Sequence, residues 1–154
     1  MSLDFDISQA TAKEVPLIVP LYDAYRQFYK QASDLDLASR FLTERLSKGQ
    51  SVVLLAVEKG SGNAAGFVQL FPSFTSMAAD RIWILNDLFV DPDFRRRGLA
   101  RALMNEAKDF AKSTGAVRLG LMTAHTNTQA QALYESLGYV MDTDYRSYNL
   151  QLND

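Results

Sequence analysis

Cysteine is missing from all 154 residues. Its absence excludes disulfides, thiolate metal sites and a cysteine nucleophile together, and fits a reducing compartment. A dominant charge is missing too: 16 Lys and Arg stand against 18 Asp and Glu, a formal net charge of -2. General nucleic-acid binders carry a basic coat, so no nucleic-acid partner is expected. No apolar run approaches the ~18 residues of a membrane span, and the N-terminus has no signal-peptide pattern. No membrane partner is expected, and the cytoplasm is the expected location. The single histidine, His125, falls at a strand end, where it reads as a solvated loop residue, and no metal site is expected.

What is present has the balance of a globular chain, with 47% hydrophobic and 22% charged residues. The length suits one domain spanning 1–154, burying roughly two thirds of its unfolded surface. Residues 5–11 read as a short strand, and Thr11 with Glu14 has capping-box spacing before a helix. Pro16 is tolerable in the first turns of that helix, whereas Pro20 should bend or split it. Residues 35–48 repeat apolar positions at Leu37, Phe41, Leu42 and Leu46 and stop at Gly49, predicting a second helix. Segments 51–58 and 64–74 flank the turn-forming KGSGN and read as a hairpin.

Residues 81–90 are apolar on both alternating faces, as a strand in the middle of a sheet should be. Residues 98–112 form a third helix, with Leu99, Leu103 and Phe110 inward and Arg101, Asn105, Lys108 and Lys112 outward. A strand over 116–123, a helix over 127–138 and a last alternating strand over 145–152 complete a mixed α/β layer structure.

The stretch DPDFRRRGLARAL, residues 91–103, carries the first chemical signal. A helix start leaves four backbone N–H groups unpaired and bears partial positive charge, so it can hold phosphate. Gly98 removes the side chain that would keep a diphosphate away, Ala100 stays small, and Arg95, Arg96 and Arg97 add charge at the rim. Arg97 and Arg101 are free to reach a separate phosphate on this reading. The plainer alternative is a solvated basic helix start. The Walker pattern and the three-glycine dinucleotide fingerprint are both absent.

The second signal is TNTQAQALYESLGY, residues 126–139. Seven helical residues turn through ~700°, so Asn127 and Tyr134 share a face with Ala130 beside it. Leu133 and Leu137 supply the inward stripe without Tyr134. Asn127 as a helix cap and Tyr134 as a half-buried tyrosine are the plainer readings.

Arg95-x-x-Gly98-x-Ala100 resembles the coenzyme-A diphosphate turn of the GNAT acetyltransferase superfamily. Asn127-x-x-Ala130-x-x-x-Tyr134, followed by Gly138-Tyr139, is similar to that superfamily's later motif. The resemblance covers about residues 50 to 140 and looks most like small acetyltransferases of polyamines, histone tails or amino acids. It implies a three-layer α/β fold: a twisted mixed sheet of six to seven strands, flanked by about four helices. The cofactor would be wedged between splayed strands 81–90 and 117–123.

It further implies acetyl-CoA as cosubstrate, held by the turn from Arg95 through Leu99 to Arg101, by the backbone of Leu88, Phe89 and Val90, and by Asn127 and Ala130. Tyr134 would be the general acid. Tyr25, Phe28 and Tyr29 would line the amine pocket through cation-π contact, with Asn86 also in the substrate site and Phe71 and Phe74 closing its other side. Asn86 and Asp87 are the polar residues of an apolar strand, and burying them unpaired would cost on the order of several kcal/mol.

In a regular strand they face opposite ways, although a bulge can re-aim one. Similar polyamine enzymes have Glu-Asp here, so Asn86 departs from the pattern. Asp87 is then either the base or a structural hydrogen-bonding residue. The expected activity is direct acetyl transfer to a primary amine of a small molecule or peptide. The alternative is a catalytically weak acyl-CoA sensor or partner-binding module. The last strand suggests a homodimer.

Overall fold

The computed structural model describes residues 4–153. They divide into two compact units, the first ending at Met122 and the second beginning at Thr123.

The first unit is built on a five-stranded sheet in the order β1 (Phe5–Gln9), β2 (Val52–Glu58), β3 (Ala64–Thr75), β4 (Asp80–Val90), β5 (Arg118–Leu121). The first four strands pair antiparallel, and β4 pairs parallel with β5 through the crossover helix α3 (Leu99–Ser113). The expectation of six to seven strands is therefore corrected to five among the described residues. The strand predicted over 145–152 does not form. Alternation makes a segment fit for a sheet, but a strand needs a hydrogen-bonding edge to join.

Thr11 and Glu14 form the predicted capping box around a short 3-10 turn, Ala12–Glu14, which leads into α1 (Val15–Phe28). Pro20 does not split α1. Proline at this position removes one bond, to the carbonyl of Pro16, and both prolines lie on the exposed face where water can replace it. Helix α2 (Leu35–Ser47) is capped by Asp34, whose carboxylate accepts from the Leu37 N–H at 3.0 Å.

Gly66 and Phe67 fix the layers. A Cβ on Gly66 would meet Leu99 and Leu103 of α3, whereas the Phe67 ring packs against Tyr22 and Tyr25 of α1. Neighbouring strand residues face opposite ways, so α1 and α3 cover opposite faces of the sheet. The main buried cluster lies on the α1 side, where Ile18, Leu21, Leu42, Val53, Leu55 and Phe67 meet. On the α3 side, Leu99, Leu103, Met104 and Ala107 are buried.

The second unit contains α4 (Thr128–Ser136), capped by Asn127. Its predicted inward residues Leu133 and Leu137 are only half-buried. Tyr148, Leu150 and Leu152, the alternating residues of the last segment, are exposed, as is Tyr145.

Candidate active site

The β3–β4 ladder pairs Gln69 with Asp87 and Leu70 with Leu85, leaving Asn86 as an extra residue on β4. This bulge decides which way the carboxylate points. Trp83 touches Phe110 of α3, with ring centroids 5.2 Å apart, while Phe89 meets Tyr25 of α1 at 6.5 Å. Residues an even number apart on a regular strand share a face, so the parity of β4 must invert once between them. Asn86 inverts it, and Asp87 faces α1 with Gln69 and Phe89.

Asp87 is buried, 3% exposed, with both carboxylate oxygens engaged. Oδ1 accepts from Asn86 Nδ2 at 2.8 Å, and Oδ2 accepts from Gln69 Nε2. Burial pushes its carboxyl above the ordinary range, while hydrogen bonding from Asn86 and then Gln69 pulls it back. A carboxyl held in this way takes a proton more readily than a solvated aspartate.

Tyr25 donates its hydroxyl to the main-chain oxygen of Asn86 at 3.1 Å. Burial, then the Asp87 charge, raises the Tyr25 phenol beyond its normal range, and the same two causes raise Tyr22. Tyr25 packs on Tyr29 at 4.9 Å, and Tyr29 on Phe28 at 5.2 Å. The aromatic series therefore runs from the buried carboxylate to the surface, where Phe28 is 62% exposed. Phe71 and Phe74 do not close one side together. They lie three residues apart on an unbulged part of β3 and face opposite ways.

The β4–β5 ladder ends at the pair Leu85 and Leu121, and β4 runs on to Val90 beyond it. The backbone of Leu88, Phe89 and Val90 thus lies past the point where the two parallel strands cease to pair. The turn that follows is held by Asp91, whose N–H donates to the Ala65 carbonyl and whose side chain accepts from Asp93 N–H, both at 2.9 Å.

Arg96 and Gly98 adopt left-handed φ angles of 64° and 77°. Gly98 is the N-cap of α3, and no side chain caps that helix start. An added Cβ at Gly98 would meet no atom within 4 Å, so the main chain there faces open space. Uncapped amides with room before them fit a diphosphate.

The arginines divide their roles. Arg95 Nε donates to the Val90 carbonyl at 2.9 Å, and its guanidinium lies 5.6 Å from the Phe89 ring centroid. Arg97 contacts Glu58 at 3.1 Å and Asp4 at 3.4 Å and stacks over Phe5 at 4.8 Å. These contacts, to two carboxylates and a ring on the β1–β2 side, would have to open for Arg97 to reach the separate phosphate that the sequence suggested. Arg96, Ala100 and Arg101 lie at the mouth of the helix.

In the second unit, Asn127 caps α4 by accepting from the Ala130 N–H at 3.2 Å. Gln131 ties the preceding loop to the helix, its Nε2 donating to the carbonyls of Ala124 at 2.9 Å and His125 at 3.1 Å. The Tyr134 ring lies 6.1 Å from Tyr139, whose phenol is raised by burial and then by Tyr134.

A model of the acetyltransferase (GNAT) family matches residues 18–139. The chain belongs to that family. It is 46% identical over 147 residues to a Bacillus subtilis protein named as an uncharacterized N-acetyltransferase, covering 96% of this chain and 97% of the relative. A crystal structure of a probable acetyltransferase matches with TM-score 0.92 at 39% identity, across 97% of this chain and 99% of that one. A Salmonella typhimurium enzyme named for acetylating an alanine of ribosomal protein bS18 is 41% identical over 76 residues, about half of each chain.

Within this GNAT chain, the first unit brings together Tyr25, Asn86 and Asp87, and the stretch from Leu88 through Arg101 continues from them along the chain. Gln69 is the residue that sequence reasoning missed. Its signal was a lone amide within the apolar run GFVQLF of residues 66–71. Among the described residues no cluster of His, Asp or Glu could hold a metal, and no helix is long and apolar enough to cross a membrane.

Proposed function

We propose that this GNAT protein is a cytoplasmic N-acetyltransferase moving an acetyl group from acetyl-CoA to a primary amine of a small molecule or peptide, directly within a ternary complex. The observation that carries this reading is the segment from Asp87 to Gly98. A buried carboxylate stands at one end and an uncapped, glycine-led helix start at the other. When bound, acetyl-CoA supplies an acyl group activated as a thioester.

The amides at the start of α3 hold the diphosphate, and Arg96 and Arg101 add charge around it. Amide N–H groups of Leu88 to Val90 orient the thioester and stabilise negative charge developing on its oxygen; such donors are worth ~3 kcal/mol. Asp87 takes a proton from the acceptor ammonium, freeing the nitrogen lone pair that attacks the acyl carbon. As the carbon–sulfur bond breaks, Tyr134 gives its phenolic proton to the departing sulfur, and the surplus proton on the newly acylated nitrogen returns through solvent to the Tyr134 phenolate, restoring the phenol. Tyr25, Tyr29 and Phe28 face the incoming cation with aromatic surface.

The test is free-thiol release from acetyl-CoA across polyamines, amino acids and peptides, with Tyr134→Phe alongside. Turnover with at least one amine, lowered by Tyr134→Phe at unchanged CoA affinity, is the expected result. Silence across the panel with CoA binding retained would leave a binding module in place of an enzyme.

A further inference from the structure

Gln69 is wholly buried in β3, directly across the ladder from Asp87. Its Nε2 donates to Asp87 Oδ2, whereas its Oε1 has no hydrogen-bond partner. A buried acceptor left unpaired is costly, and native interiors hold few of them. An apolar residue of similar size would fill the same space without that cost. The amide must therefore do something that a methionine or leucine cannot.

A carboxamide differs from every apolar replacement in offering both a donor and an acceptor on one planar group. The rotation about its last bond is broad and roughly two-fold, so half a turn exchanges Nε2 and Oε1. With Asp87 ionised, Nε2 donates to the carboxylate, as observed. With the proton on Oδ2, the carboxyl O–H needs an acceptor, and Oε1 supplies one after the half turn. Each orientation pairs one amide atom and leaves the other unpaired, so neither protonation state is locked.

We propose that Gln69 is a positioning residue for Asp87, its carboxamide hydrogen-bonding the carboxyl in both the ionised and the protonated form and keeping Oδ2 aimed while it holds the proton. The proposal rests on the role given to Asp87 above. The proton leaves the nitrogen of the acceptor ammonium, an O–H bond forms at Oδ2, and the nitrogen keeps the electron pair. The other groups that act on Asp87 are Asn86 beside it and Tyr25 from α1, while the Asp87 charge is felt by Tyr22 and Tyr25. Asn86 already donates to Oδ1, so Gln69 is the partner of Oδ2.

The experiment uses the full chain, with Gln69→Met and Gln69→Glu. Asp87 is titrated through its side-chain carbonyl carbon by NMR, beside the pH profile of kcat/KM for an accepted amine. The charge-assisted bond to the ionised carboxylate is the stronger of the two, so losing both in Gln69→Met should move the Asp87 midpoint and the acidic limb upward together, by about one pH unit. In Gln69→Glu two carboxyls share one site, so both should move further.

KM for acetyl-CoA should stay unchanged, and in the wild type the Gln69 side-chain amide resonances should shift at the Asp87 midpoint. An unmoved Asp87 midpoint in a folded variant overturns the proposal, and Gln69→Glu decides it if Gln69→Met does not fold. A midpoint that moves without the acidic limb supports the coupling to Gln69 and overturns Asp87 as the base instead.

Discussion

Gly98→Ala adds one methyl group where an added Cβ meets nothing within 4 Å, so its effect on folding comes from the backbone alone. The residue sits at φ 77°, a conformation that costs an L-residue about 1–2 kcal/mol. For a chain of this size that strain should lower Tm by about 2–8 °C. Gly66→Ala is the matched control with the opposite cause.

Its backbone lies outside the left-handed region, but its Cβ would stand 2.8 Å from the Phe89 carbonyl oxygen and 3.3 Å from the Leu99 and Leu103 side chains. That carbonyl belongs to a strand paired on the same ladder and cannot swing aside. Overpacking there should cost about 1–3 kcal/mol. The two variants are therefore similar in stability, and they separate in binding.

Calorimetric titration with CoA should show at least about a tenfold loss for Gly98→Ala, equivalent to one charge-assisted hydrogen bond, and a smaller loss for Gly66→Ala, whose Cβ presses on Phe89 and Leu99 from within the core. Wild-type affinity in folded Gly98→Ala would remove the turn from the cofactor site. Equal loss in both variants would mean that affinity follows stability.

Asp87→Asn should abolish most turnover and raise Tm at neutral pH. The folded carboxyl titrates above its unfolded value of 3.8, so the fold holds a proton that the unfolded chain releases, and the stability due to Asp87 falls as pH rises through that window. The gain in Tm should shrink toward pH 4, and a gain independent of pH would contradict this account.

Asp23 behaves oppositely: hydrogen bonds from Ser33, the Asp34 N–H and Gln27 lower its carboxyl below 3.8, so its contribution is present above that value and is lost as pH falls through the folded one. Asp23→Ala should cost about 2 kcal/mol at pH 7 by freeing those donors, measured by urea unfolding, and a loss that persisted undiminished in acid would refute the assignment. The exposed alternation at Tyr148, Leu150 and Leu152 leads us to propose a homodimer. Sedimentation of a monomer at tens of micromolar would exclude it.

Elements whose signals are local can be read from the order of residues alone. The Thr11–Glu14 box, the Asn127 cap and the glycine-led start of α3 each act within one turn of chain, and each is found where spacing put it. The two family motifs were legible for the same reason: a diphosphate turn needs its glycine and its arginines within a few residues. The direction of Asp87 depends on strand pairing instead, because a single inserted residue at Asn86 inverts strand parity, and register is a property of two strands rather than one.

Contacts across the fold also turn Arg97 to Glu58 and Asp4, residues far away along the chain, and set Gln69 across from the carboxylate. The alternation of residues 145–152 misled for the same reason. A strand exists only when another edge completes its hydrogen bonds, and no stretch of sequence carries its partner within itself.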